Sequence, residues 1–418
     1  MPGINVQLFR AKMSLLIVYI ILVFGFARAF DYDYGNFELC KTYEDLTTKE
    51  PSLECFCENR ENFTMHPIYD FDITRITVRG CGNVRVPFAA LNNLQLEVLE
   101  FLDLERLTIL SFSLSSVQGV EILKIADIAD LEVVQHAFVG LYNIDRFILR
   151  NVTANILTRD AFSSITNVRH FMVEDSTFKN VEELAFAIHN VTNFSAKNTE
   201  FHTLENCAFL IHNSEEVLFD NCVFQETKNG SFILSFVDSL VFRNSQFGEL
   251  ATSYLQSNGL KTFSIINSVI EELKPEAFKD LEVHELINFK NNTIKIAYEN
   301  SLNAILTQPS NYIDIKFCCN SFTCDCNIFW LWSLKDIDEN VTVLEKNWCI
   351  GDKQKSLNNY IPIMDSNNNC MTLESRPFKT THQFLNETQL AKMIEELLIL
   401  FKHGFELILN KADIRQMV

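Results

Sequence analysis

Eleven times between Ile73 and Phe322 the chain repeats one short phrase: an apolar residue, any residue, an apolar residue, two more, a small polar residue, any residue, and another apolar one. The anchors of this phrase are Ile76, Leu99, Leu123, Phe147, Phe171, Phe194, Val217, Leu240, Phe263, Ile287 and Ile315, spaced by 23 or 24 residues until a last step of 28. A period held this long excludes a mixed globular domain, because every unit must do the same structural job as its neighbours. Each unit predicts one short strand with alternating apolar residues, such as Phe171 with Val173 or Phe263 with Ile265. A return path follows, often marked by Ala-Phe, as at 137–138, 161–162, 185–186, 208–209 and 277–278. One such unit cannot bury its apolar side alone, whereas stacked units share a continuous core. The expected fold over residues 73–322 is a solenoid.

Residues 1–29 place Arg10 and Lys12 before an apolar run over 15–26, then Ala27-Arg28-Ala29, small residues where a signal peptidase reads. They read as a signal peptide removed after Ala29, and the apolar run is about half of the roughly 20 residues that a spanning helix needs. No transmembrane helix is therefore expected in the mature chain. Removing the leader takes away three basic residues and no acids, which leaves 32 basic and 54 acidic residues and a formal charge of −22. That balance argues against nucleic acid or anionic lipid as a general partner. Eight Asn-X-Ser/Thr sequons, at Asn62, Asn151, Asn190, Asn193, Asn229, Asn291, Asn340 and Asn386, fit a secreted, extracellular glycoprotein.

Twelve cysteines behind a leader read mostly as disulfides. Cys40, Cys55, Cys57 and Cys81 sit at the front of the array, and Cys324, Cys326, Cys349 and Cys370 just past its last rung. A solenoid exposes an apolar rung and an unpaired edge at each end, and disulfides let a small cap hold its shape where burial is scarce. Cys207, Cys222, Cys318 and Cys319 fall outside both quartets and leave buried thiols, extra bridges and an intermolecular disulfide all open.

These rungs resemble extracellular leucine-rich repeats. Phe322-Thr323-Cys324-Asp325-Cys326, followed by Trp330-Leu331-Trp332, Cys349 and Cys370, resembles the C-terminal cysteine cap of that family more specifically, and the likeness covers roughly residues 40–370. The resemblance implies an α/β solenoid with a curved parallel sheet of about eleven rungs, an N-terminal cap at 30–72, and a C-terminal cap at 323–370. It also implies pairing of Cys324 with Cys349 and of Cys326 with Cys370. The sequence departs from the family where phenylalanine often replaces leucine and where the buried ladder Asn occurs only at Asn292 and Asn320. Other rungs place Cys81, Ser176, Thr199, Cys222, Ser245 and Ser268 there, or the apolar Leu104, Ile128 and Val152. One residue earlier stands a column of Asp103, Asp127, Asn151, Asp175, Asn198, Asn221, Asn244, Asn267 and Asn291, short carbonyl side chains that suit a tight turn. A parallel β-helix, a fold that includes polysaccharide-active enzymes, is the rival architecture.

Residues flanking each anchor should face outward from the sheet. Near rungs four and five they give a basic and apolar patch of Arg146, Arg150, Arg169, His170, Met172 and Glu174, suited to recognition by a few anchors inside a polar rim. No catalytic, metal-binding or cofactor motif appears: the nine histidines lack ligand spacing, and Glu97 with Glu121 is a carboxylate pair without a pocket. After Cys370, residues 371–385 read as a linker and 386–418 as an amphipathic helical tail with Leu390, Ile394, Leu397, Phe401, Phe405 and Ile408 on one stripe. That stripe suits a helix folded on the cap, a membrane-surface helix, or a homodimer arm. The function expected is non-enzymatic binding of an extracellular protein ligand or receptor by the solenoid surface, with a polysaccharide-active β-helix enzyme as the alternative.

Overall fold

The computed structural model describes residues 39–44, 51–68, 72–307, 313–324, 326–336, 343–350 and 352–357. The leader, the linker, the helical tail, Asn340, Asn386 and Cys370 lie outside the described residues.

The chain forms a parallel β-solenoid. All eleven anchors stand opposite one another in a single sheet, from Ile76 against Leu99 through Phe171 against Phe194 to Ile287 against Ile315. A twelfth rung precedes them: strand Pro51–Phe56 runs parallel to Arg75–Arg79 with Leu53 opposite Ile76, so the segment assigned to the N-terminal cap also supplies a turn. Its period was hidden because 23 residues before Ile76 the phrase reads Leu53-Glu54-Cys55, with a cysteine in the second apolar place.

Each turn has more than one flat side. Beyond the anchor sheet, strands such as Thr177–Val181, Glu200–Leu204, Val223–Thr227 and Gln246–Leu250 form a second parallel sheet. A third short ladder joins 186–189, 209–212, 232–235 and 255–258. Left-handed residues make the corners between the sides. At the end of the anchor strands, the Asp/Asn column from Asp103 to Asn291 holds φ between 51° and 59°, a region that Asn and Asp tolerate better than other side chains. Leu184, Cys207, Gly230 and Ser253 turn the second side into the third, and Asn143, Asn167, Asn190, Asn213, Phe236 and Gly259 turn the third back into the anchor sheet.

These corners correct the expected α/β class. The return path is strand and turn, and the helix among the described residues amounts to Asn303–Leu306 and the 3-10 segment Cys326–Asp336. Three corners in 23 or 24 residues leave pieces of about five, too short for a helix to offset its nucleation cost. The Ala-Phe pairs instead enter the core together, with Ala137, Phe138, Ala161, Phe162, Ala185 and Phe186 all fully buried.

Phenylalanine fills this core in files that run along the solenoid. Phe138, Phe162, Phe186, Phe209 and Phe232 stack at centroid distances of 5.3, 5.2, 4.7 and 5.0 Å. Phe178, Phe201, Phe224 and Phe247 form a second file at 5.5, 5.3 and 5.1 Å. Strands in a sheet lie about 4.8 Å apart, close to the offset-stacking distance of aromatic rings, so each turn sets its ring against the last. Rings from different files meet edge to face, as Phe209 does with Phe219.

A buried polar ladder runs beside the rings. The Ser245 amide donates to Ser268 Oγ, Ser268 to Asn292 Oδ1, Asn292 to Asn320 Oδ1, and Asn320 to Asn347 Oδ1, at 2.8–3.1 Å. The serines are thus shorter versions of the same rung, and Asn347 is a further member that lies beyond the recognised repeats. Leu104 and Ile128 interrupt the ladder as expected.

Disulfides join Cys40 to Cys55, Cys57 to Cys81, and Cys324 to Cys349, the last as the resemblance implies. Cys326 is also disulfide-bonded. Cys207, Cys222, Cys318 and Cys319 are free thiols. Burial pushes the Cys222 thiol up to about 12, and full burial also raises the Tyr254 phenol above its ordinary value. Both groups stay neutral in the folded chain while the unfolded chain ionises them, so stability is complete below their ordinary pKa values of 9.0 and 10.0 and falls as pH rises through them. Tyr254 Oη also has no hydrogen-bond partner among the described residues. Tyr254→Phe is therefore expected to raise stability by about 1 kcal/mol near neutrality and to flatten the loss that begins near pH 10. Urea midpoints measured across the alkaline range check this. An unchanged pH slope in the variant would remove Tyr254 from the explanation.

Candidate functional surface

The six residues singled out in sequence fall on two neighbouring turns of the anchor sheet. Arg146 stands opposite His170, Ile148 opposite Met172, and Arg150 opposite Glu174. Arg169 lies just outside these columns, with Nη1 donating to Asp145 Oδ1 at 2.9 Å. The strand pleat sends these side chains outward because the intervening Phe147, Leu149, Phe171 and Val173 are fully buried.

Register extends each pair into a column. Arg150, Glu174, Lys197, Asp220 and Arg243 alternate in sign along the face. Arg243 donates to Asp220, and this bond holds the Asp220 carboxyl below its usual range. Such exposed pairs contribute little to stability and leave charge available to a partner. Parallel to them runs Ile148, Met172, Ser195, Leu218 and Val241, all half-buried. A semi-apolar stripe beside a charged one is thus fixed by the backbone ladder. Glu97 and Glu121 also occupy adjacent turns, with the Glu121 amide donating to the Glu97 carbonyl at 2.8 Å.

Sequence reasoning overlooked a second feature. At the corner leading into the anchor sheet, Asn167 donates to Asn143, Asn190 to Asn167, and Asn213 to Asn190, at 3.1, 3.2 and 2.9 Å. Two open clefts follow this amide ladder. One of about 410 Å³ is lined by Asn143, Asp145, Asn167, Arg169 and Asn190; the next, of about 200 Å³, runs from Asn190 past Glu215 to Phe236. The asparagines recur with the same 23- or 24-residue period as the anchors, a signal that was available in the sequence. Near the far end, His189 and His212 have ring centroids 5.9 Å apart, and burial, then the neighbouring His212, holds the His189 imidazole below its ordinary pKa.

Of the sequon asparagines, Asn62, Asn151, Asn190, Asn229 and Asn291 are exposed, whereas Asn193 is half-buried on the anchor sheet with Nδ2 near His170 Nδ1. Cys319 Sγ lies 3.2 Å from Cys318 Sγ. Among the described residues, no three or more His, Cys, Asp or Glu side chains gather to hold a metal ion, and no helix is long and apolar enough to cross a membrane. No protein-family model matches the chain, and no curated protein matches it.

Proposed function

We propose that this chain is a secreted or cell-surface recognition module of the leucine-rich repeat type, and that it binds an extracellular protein partner through its anchor sheet. The observation that carries the reading is the half-buried column Ile148, Met172, Leu218 and Val241 flanked by the charged column from Arg150 to Arg243. Partner binding buries such an apolar stripe, while the flanking charges set orientation and reject wrong partners. Disulfides at both ends fit an oxidising compartment, and the buried Asn292–Asn320–Asn347 relay fits the repeat type.

The test is labelled soluble protein applied to a panel of cell surfaces, followed by crosslinking and mass spectrometry of the captured partner. The double variant Arg146→Glu, Arg150→Glu is expected to weaken capture at least about tenfold, since rim charges govern encounter and orientation. Lys179→Glu, on the second sheet, should leave capture unchanged. Equal capture by all three proteins would displace binding from this face.

The three-cornered turn and the long polar groove favour a second reading, a polysaccharide-active β-helix enzyme. New reducing ends released from a glycan panel by the purified protein would establish it over the binding module.

A further inference from the structure

Phe236 stands where four preceding turns place asparagine. Its φ is +55°, a region that costs a bulky side chain more than Asn or Gly, yet the ring gains no core burial in return: it is 58% exposed. Nor can it continue the amide ladder that ends at Asn213. Its ring is nevertheless held in place. The His212 ring meets it edge to face at 5.4 Å, and on the other side Gly259 leaves the space that it occupies, since a Cβ there would come within 3.3 Å of the ring. An aromatic face is thus held open to solvent at the end of a polar cleft.

The other end of that cleft is Asn190, the sequon asparagine of Asn190-Val191-Thr192. Asn190 is exposed at a left-handed corner on the lip of the groove, where its Nδ2 donates to Asn167 Oδ1 and its Oδ1 accepts from Asn213. Two turns separate it from Phe236, about 10 Å at the usual strand spacing. The first sugars of an N-linked chain span that distance. Between the two ends lie the exposed Asn213 and Glu215, amide and carboxylate groups that match sugar hydroxyls. Phe236 supplies what such groups lack, a negative π face against which the C–H side of a sugar ring stacks.

We propose that an N-linked glycan carried by Asn190 lies along this groove and stacks on Phe236, so that the solenoid holds its own saccharide as a fixed part of its surface. The inference rests on the secretory reading of the chain. The attached glycan also fills the cleft against any free saccharide, which leaves the anchor sheet for a protein partner.

The experiment uses full-length protein secreted from glycosylating animal cells, with site occupancy measured by glycopeptide mass spectrometry. Native protein is then treated with an endoglycosidase, and release is timed separately at Asn190 and at Asn151. Asn151 is the comparator because it is also an exposed sequon asparagine at a left-handed corner. The Asn190 glycan is expected to be released at least about tenfold more slowly than that on Asn151, as protection by a folded surface requires. Phe236→Asn, which restores the residue type of the column, should raise the Asn190 rate to that of Asn151 without lowering the melting temperature. Equal release rates with and without Phe236 would overturn the inference, as would an empty Asn190 beside other occupied sequons. Empty sequons throughout would overturn the secretory reading as well, so the two failures are distinguishable.

Discussion

Phe209→Ala is expected to cost about 3–5 kcal/mol, the range for truncating a fully buried aromatic residue. Its ring is completely inaccessible and touches two files at once. It stacks on Phe186 at 4.7 Å and Phe232 at 5.0 Å, and it meets Phe194, Phe201 and Phe219 edge to face at 5.9, 5.6 and 5.6 Å. Alanine leaves a cavity that the neighbours cannot close, because each of their rings is fixed by the next turn. Phe209→Leu keeps most of the volume and should cost well under half as much. Urea unfolding of the two variants measures the contrast. Hydrogen exchange should place the extra opening in the flanking turns, since a solenoid transmits strain chiefly to nearest neighbours. Similar losses for Leu and Ala would overturn the cavity account and assign the cost to the lost ring contacts rather than to apolar volume.

The phenylalanines explain why the fold was legible while the shape of each turn was not. The spacing of Phe147, Phe171 and Phe194 identified the anchor sheet, because a strand tolerates no register slip when one face is buried, and these three indeed stand in successive register. The same period was written at Phe138, Phe162, Phe186 and Phe209, which marked a return path without its conformation, and there the chain makes a corner followed by a strand. An apolar pair per turn does not distinguish helix from strand, since either buries one side; the distinction lies in backbone dihedrals. Asp160, Leu184 and Cys207 occupy equivalent left-handed positions with no residue type in common, so that corner left no pattern to read. The Asp103–Asn291 column was readable because its chemistry repeats.

The candidate surface divides in the same way. Arg146, His170, Met172, Arg150 and Glu174 were brought onto one face by strand alternation alone, which sequence states directly. The groove between Asn143 and Phe236 depends on a corner that no strand period reports, and Phe236 itself reads in sequence as one more core phenylalanine. Only its exposure and positive φ separate it from the others. The family resemblance identified the bridge between Cys324 and Cys349, yet it gave no place to Asn347, whose turn lies past the last recognised anchor.

Asn320→Leu is the second severe lesion expected, at about 2–6 kcal/mol, because it strands two buried backbone groups at roughly 1–3 kcal/mol each. The Asn320 side chain is fully buried and works in three directions. Its Oδ1 accepts the Asn292 amide at 2.9 Å, while its Nδ2 donates to the Phe289 carbonyl at 3.0 Å and to Asn347 Oδ1 at 2.9 Å. Leucine has the right size and no polar atom, so the Asn292 amide and the Phe289 carbonyl lose these partners where water cannot replace them. Asn320→Ser should recover part of the loss, as Ser245 and Ser268 show that a hydroxyl at this position accepts the preceding amide. Asn320→Asp keeps the acceptor but gives up both Nδ2 bonds and buries a charge, and is expected to be no better than leucine. The order Asn, Ser, then Leu and Asp, measured by denaturant unfolding, therefore reports hydrogen bonding rather than volume. Equal stability of Asn320→Leu and the native chain would instead make this rung equivalent to Leu104 and Ile128, where apolar side chains fill the same position without the ladder.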